Sequence, residues 1–289
     1  MKKISSFKTQ IIFILLLLVP ASCLSRRRVL PEEQRLLPAK AATRAELSEY
    51  LVARSHEVQT LQGTISLDLT GGGAKSGVLT EYHQTKGYVL VDRPNHIRLK
   101  VEAPIVLSTV LDMVSDGRQY RVSIPVKNQF LIGEVNAPAH SKNSLANLRP
   151  QHLLDGLFVD IRPYMSNPQV RSSFEETVQG RRSYYVFSYI NIAEPEGQLL
   201  EKLWIDRTDM RVSRKQVFGK DGRVETDVEY SNYGTTEGNS FPQLVVIERP
   251  IEDYTLKMTF QQTALNQKLA DDAFKLDQPE GSDLVQLAQ

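Results

Sequence analysis

YVLVDRPNHIRLKVEAPIVLSTVLDMVSDGRQYRVSIP, residues 88–125, decides the fold. Ile97, Leu99 and Val101 alternate with Arg98, Lys100 and Glu102, the period-two signature of a strand with one dry and one wet face. Tyr120, Val122 and Ile124 repeat the pattern, and Asp116-Gly117 ahead of them is a tight-turn signal. Pro104 breaks the alternation, and the next three residues, Ile105, Val106 and Leu107, form an apolar run with no evident strand partner.

Upstream, Thr43 and Glu46 make a capping box ahead of Leu47, Tyr50, Leu51, Val58 and Leu61, which predicts one amphipathic helix over 44–60. Residues 61–70 alternate as a strand, Gly71 to Gly73 suit a hairpin tip, and the next strand is expected over 78–85. GGGAKSG lacks the Gly-Lys-Ser order of a phosphate-binding loop.

Downstream, residues 133–147 lose periodicity and read as a long loop, after which Pro150 opens a short helix with Leu153, Leu154 and Leu157 on its apolar side. Strands are expected over 183–192, 199–206, 211–218, 223–231, 244–249 and 254–262. Residues 266–276 read as a last turn or short helix, and the tail beyond Gln278 reads as loose. The connections are too short for the crossovers of about a dozen residues that parallel pairing demands, so the sheet is expected to be antiparallel. The class is α+β, a curved antiparallel sheet of about 10–11 strands with two or three helices. Some strands are apolar on both faces: Tyr185, Phe187 and Tyr189 point one way while Tyr184, Val186 and Ile190 point the other. Such a sheet curves around something, either its own helices or a ligand.

The N-terminus reads as a targeting segment. Met1 to Ser22 has a basic start, nine apolar residues from Ile11 to Val19, and the small residues Ala21 and Ser22, the layout of a signal peptide. A bilayer-spanning helix needs about 20 apolar residues, so this run is too short to stay in the membrane. Removing residues 1–22 takes away Lys2, Lys3 and Lys8 and no acid, leaving 32 basic against 34 acidic side chains. That balance lacks the clustered positive field nucleic-acid binding requires. The one cysteine, Cys23, cannot form a disulfide within the chain. Arg26, Arg27 and Arg28 follow, either as cations near anionic lipid or as part of a solvated tether, and Pro31 and Pro38 mark a linker through Lys40.

No catalytic pattern is present. His56, His83, His96, His140 and His152 have no metal-ligand spacing, and HExxH, CxxC and GxSxG are all missing. Glu175-Glu176 and Asp271-Asp272 are adjacent, so on a strand each pair points to opposite faces. The sequence therefore predicts no catalytic residues, no metal, no cofactor and no enzyme activity. Trp204 in LWID alternates with Leu203 and Ile205, which suits either a core residue or a binding residue.

The order of signals resembles the LolA/LolB superfamily of periplasmic lipoprotein carriers and receptors. The stretches that carry the likeness are VPASC, the amphipathic helix, GYVLVDRPNHIRLKVEAP, SDGRQYRVSIP, LWID, DGRVETDVEYSNY, FPQLVVIERP and the closing N-x-x-L-x-D-x-x-F-x-L at 266–276. VPASC is similar to a lipobox, with Pro20 where Leu is usual, and the resemblance implies that Cys23 is acylated, with palmitate as a fitting acyl group, and becomes the N-terminus. Leu24 after it implies the outer membrane, with the domain facing the periplasm. The implied organisation is a signal peptide over 1–22, a lipidated N-terminus and linker over 23–40, and a half-barrel domain over 41–289. The implied fold is an incomplete barrel closed by helices around an apolar cavity for acyl chains. Candidate cavity residues are Leu99, Val101, Tyr185, Phe187, Tyr189 and Trp204. Ile105, Val106 and Leu107 fall where LolB-type proteins carry a membrane-contacting loop, although the run also suits the start of the next strand. The implied function is transfer of acylated cargo, lipoprotein or lipid, to the membrane, with the membrane, the acyl chains and a periplasmic carrier protein as partners. The alternative is a non-enzymatic adaptor or envelope-stress sensor that binds a protein through the same fold.

Overall fold

The structure, a computed structural model, describes residues 28–72, 79–103, 108–135, 149–193, 195–236 and 238–286. The chain divides into two units, residues 1–37 and 38–289. In the first, a short 3-10 turn at Glu32–Gln34 is followed by Arg35, whose Nε donates to Leu30 O at 2.8 Å.

Among the described residues, the second unit is built on one fourteen-stranded sheet. Its strands in chain order are β1 (Thr60–Gly72), β2 (Leu79–Asp92), β3 (His96–Glu102), β4 (Thr109–Ser115), β5 (Gln119–Ile124), β6 (Gln129–Glu134), β7 (Val170–Gln179), β8 (Arg182–Asn191), β9 (Gln198–Asp206), β10 (Arg211–Phe218), β11 (Val224–Thr236), β12 (Asn239–Arg249), β13 (Tyr254–Leu265) and β14 (Asp283–Gln286). The helices are α1 (Arg44–Glu57), α2 (Pro150–Leu157) and α3 (Arg162–Met165). The spatial order is β14-β6-β5-β4-β3-β2-β1-β13-β12-β11-β10-β9-β8-β7, so the long β1 joins two meanders through β13. Every pair is antiparallel except β14 with β6. The two edges, β14 and β7, do not pair with each other, which leaves an open, curved half-barrel with helices against one face.

Local chemistry explains the elements. Thr43 caps α1 reciprocally: its side chain accepts from Glu46 N and the Glu46 carboxylate accepts from Thr43 N at 2.7 Å. Gly117, at φ +84°, closes the β4–β5 turn, and Asp116 Oδ1 accepts from Arg118 N and Gln119 N at 2.8 Å each. Along β1 the burial alternates without a break, and Leu61 and Ile65 are fully buried.

Three strands exceed the sequence expectation, namely β6, β7 and β14. Residues 133 and 134 belong to β6 rather than to a loop. The segment 266–276 forms no helix; it crosses the outer face as turns, held by Arg98 Nη1 donating to Ala273 O at 2.9 Å. The tail beyond Gln278 is not loose throughout, because residues 283–286 pair with β6. Cys23, Ile105, Val106 and Leu107 lie outside the described residues.

Candidate ligand-binding face

Register defines which side chains share the concave face. Tyr185 pairs with Ile205, Phe187 with Leu203, and Tyr189 with Glu201, while Leu203 pairs in turn with Lys215 of β10. These residues all point inward, and all are at least nine-tenths buried. They build an aromatic stripe. Phe174 of β7 lies 5.2 Å from Tyr185 and 5.1 Å from Phe187, ring centre to ring centre, and Tyr164 of α3 stacks on Tyr189 at 4.8 Å.

Within that stripe sits a polar group that apolar surroundings disfavour. Glu201 is 4% exposed; its Oε2 accepts from the Tyr164 hydroxyl at 3.1 Å, and its Oε1 has no hydrogen-bond partner among the described residues. Burial raises the Glu201 pKa, opposed by the charge of Lys215 and the Tyr164 hydrogen bond. Burial and the Glu201 charge likewise push the Tyr164 hydroxyl upward. Lys215 Nζ donates to Asp155 O at 2.6 Å and Phe158 O at 3.0 Å, tying the end of α2 to the sheet.

The rest of the face is covered by α1 and α2. Leu153, Leu154 and Leu157 of α2 and Leu47 and Leu51 of α1 join one apolar cluster with Leu61, Ile65, Leu99 and Ile247. At Gly156 the helix backbone comes so close that a Cβ would stand 2.5 Å from Ile247 Cδ1. Tyr230 donates its hydroxyl to Gly156 O at 2.8 Å at the same contact. Arg93 fastens the helices together: Nη1 donates to Ser55 O at 2.6 Å and Val58 O at 3.1 Å, and Nη2 pairs with Asp160 at 2.9 Å. Its side chain is 8% exposed.

The six candidate cavity residues separate into three groups. Tyr185, Phe187 and Tyr189 stand together on the inner face of β8. Leu99 and Val101 lie on β3, fully buried and 7% exposed respectively, on the half that α2 covers. Trp204 is on the outer face, paired with Val186 and Arg214, with the Arg214 guanidinium 5.3 Å from its ring centre. Sequence reasoning missed Glu201, Lys215, Tyr164 and Arg93. The signal for Glu201 was present, because it continues the Leu203–Ile205 alternation inward, where a charge is out of place.

The outer face carries two cavities beneath the 266–276 segment, of about 740 and 350 Å³, lined in part by His96 and Arg121 and by Arg98 and Lys100. A smaller one of about 70 Å³ lies between α1 and β11–β12. Among the described residues there is no group of His, Cys, Asp and Glu that could hold a metal ion, and no helix is long and apolar enough to cross a membrane.

This geometry has counterparts among solved structures. A DUF1329 family protein from Desulfovibrio piger is similar at a TM-score of 0.53 and 11% identity, over 80% of this chain and 95% of that one. A LolA superfamily protein from Nitrosomonas europaea is similar at a TM-score of 0.49 and 12% identity, over 82% and 99%. The fold is similar to that of the DUF1329 family protein. At such identities the likeness is one of architecture. No family model matches the sequence, and the search of curated proteins finds no match.

Proposed function

We propose that this LolA/LolB-like protein is a non-enzymatic, lipid-anchored carrier that takes the acyl chain of a lipoprotein or lipid onto its concave face and passes it to the outer membrane. The observation that carries the reading is the face itself: an open half-barrel with an aromatic and aliphatic floor interrupted by Glu201 and Lys215, closed by short helices that polar ties hold at Arg93 and Lys215. An acyl chain entering there replaces helix side chains on the same floor. Each buried methylene contributes about 0.8 kcal/mol, so a chain of about ten offsets the release of one helix, and a bilayer that buries the whole chain draws it onward.

Cys23 supplies the anchor in this reading, through its place after the apolar run of the signal peptide. Ile105, Val106 and Leu107 supply a membrane contact: the ends of their segment are joined by Ala103 N donating to Ser108 O at 2.9 Å. Changing all three to Ser should slow cargo release to vesicles while the melting temperature stays within a few degrees of wild type; a large fall in melting temperature places them in the core.

The test of the reading is direct. Delipidated protein titrated with a fluorescent fatty-acid analogue should bind it saturably with about micromolar or tighter affinity, and phospholipid should displace it. Absence of saturable binding by folded protein refutes the proposal.

A further inference from the structure

Glu201 is anomalous for a packed wall. A carboxylate offers about four acceptor positions, and burying one without partners is costly, yet among the described residues its Oε1 has none. Lys215, the nearest buried cation on the same face, gives its protons to the Asp155 and Phe158 carbonyls. Among the described residues, the one donor that reaches the carboxyl comes from Tyr164, on a helix of four residues whose next side chain, Met165, is 58% exposed. Tyr164 thus lies on the Tyr189 ring as an apolar body with a hydroxyl at its end, and it meets Glu201 with that hydroxyl.

We propose that Glu201 is the polar anchor of the concave face, and that the cargo it selects is an acyl chain whose head linkage carries an N–H or O–H donor, such as an amide, entering in the place Tyr164 holds. This rests on the reading of the concave face as an acyl-binding surface. A donor-bearing linkage replaces the Tyr164 bond and also reaches the unpartnered oxygen. To the ionised carboxylate an ester-linked chain offers acceptors alone, so it would displace the tyrosine and leave both carboxyl oxygens unpaired. The preference for the donor, at a pH where the carboxyl is ionised, should be about tenfold or more, the effect of one hydrogen bond to a buried charged group.

The experiment uses the delipidated full chain loaded with a dansylated fatty acid and displaced by either N-palmitoylethanolamine or ethyl palmitate. The wild type should release the probe at about tenfold lower concentration of the amide than of the ester. Glu201→Leu should respond to both alike, with its ester response at least as strong as that of the wild type. Glu201→Gln, matched in shape and checked for folding by circular dichroism, should also lose most of the preference, because its amide can serve an ester carbonyl. Tyr164→Phe, which removes the internal donor, should keep it. Equal displacement by the two ligands in the wild type, or a preference that survives in Glu201→Leu and Glu201→Gln, overturns the anchor while the acyl-binding reading stands. Failure of the dansylated probe to bind at all overturns both.

Discussion

Under α2 the concave face meets Leu153, Leu154 and Leu157 of the helix with strands β3, β4 and β12, and Gly156 lets the backbone almost touch Ile247. Under α3 the same face meets one tyrosine with Tyr189 and a buried carboxyl that is half satisfied. Both regions have a buried floor, but the first is closed by interlocking apolar volume and the second by an aromatic ring and one hydrogen bond. Packing of the first kind gives way all at once, because every side chain removed leaves a cavity. Closure of the second kind comes apart in small steps. In the proposed carrier, the first half is therefore frame and the second is door.

The largest effect should come from damaging the frame. Leu153 is fully buried, and Leu153→Ala should cost about 2–5 kcal/mol of unfolding free energy by urea titration. A loss below about 1 kcal/mol would mean that α2 is itself a loose cover and would erase the distinction between the halves.

Arg93 stands between the two regions, and its replacement should cost less. Arg93→Met keeps the buried stem but leaves Ser55 O and Val58 O without their donor, for a loss of about 1–3 kcal/mol. The dansylated probe should also associate faster, since the α1 end and the α2–α3 connection are no longer tied. Slower or unchanged association would show that opening does not pass through this tie.

The two halves should also respond to pH with opposite sign. His152 of α2 lies 3.2 Å from the Tyr254 hydroxyl, with Arg249 and Arg149 near and Glu252 as its one acidic neighbour; burial first, and then the Arg249 charge, lower its pKa to about 3. A group with a folded pKa below its unfolded value near 6.5 contributes stability that is present above that value and lost as pH falls toward 3. Glu201 is displaced the other way: burial raises it, so its contribution is full below the unfolded carboxyl value and lost as pH rises through the folded one. Melting curves from pH 4 to 8 should show His152→Gln losing less stability than wild type on the acid side. Glu201→Gln should lose less on the neutral side. Parallel curves for all three proteins would remove the electrostatic contrast.

The frame was legible in the sequence and the door was not, for a physical reason. Strands such as β1 and β3 bury one face completely, so their alternation is written in residue type, and Thr43 with Glu46 announces α1. Strand β7 packs only part of one face as an edge, and its sequence, VRSSFEETVQ, shows little alternation beyond Phe174. Strand β6 follows a turn closed by Asn128 at φ +53°, a non-glycine in the left-handed region that gives a weaker turn signal than Asp116-Gly117. The four residues of β14 are too few to show a period. Arg93, Tyr164 and Lys215 act through partners 35 to 67 positions away, and no local pattern encodes such pairings. Both faces of β8 are apolar, as the sequence led one to expect, and its inner stripe of Tyr185, Phe187 and Tyr189 meets aromatic residues of β7 and α3.

The smallest effect on stability should come from Met165, and it is the sharpest test of the door. Met165 is a large apolar side chain on a helix over the concave face, as Leu153 is, and residue type alone would rank the two together. It is 58% exposed, while Leu153 is fully buried, so Met165→Ser forfeits little burial and should shift unfolding by no more than about 0.5 kcal/mol. An apolar residue held partly in water beside Tyr164 can fold over an arriving acyl chain, so the same change should weaken probe binding by about two- to fivefold, less than one fully buried side chain is worth. If Met165→Ser instead unfolds the protein as readily as Leu153→Ala, then α3 is frame, and opening must begin elsewhere. If stability and probe affinity are both unchanged, Met165 is a bystander at the rim, and entry past Tyr164 must rely on Tyr189 and Glu201 alone.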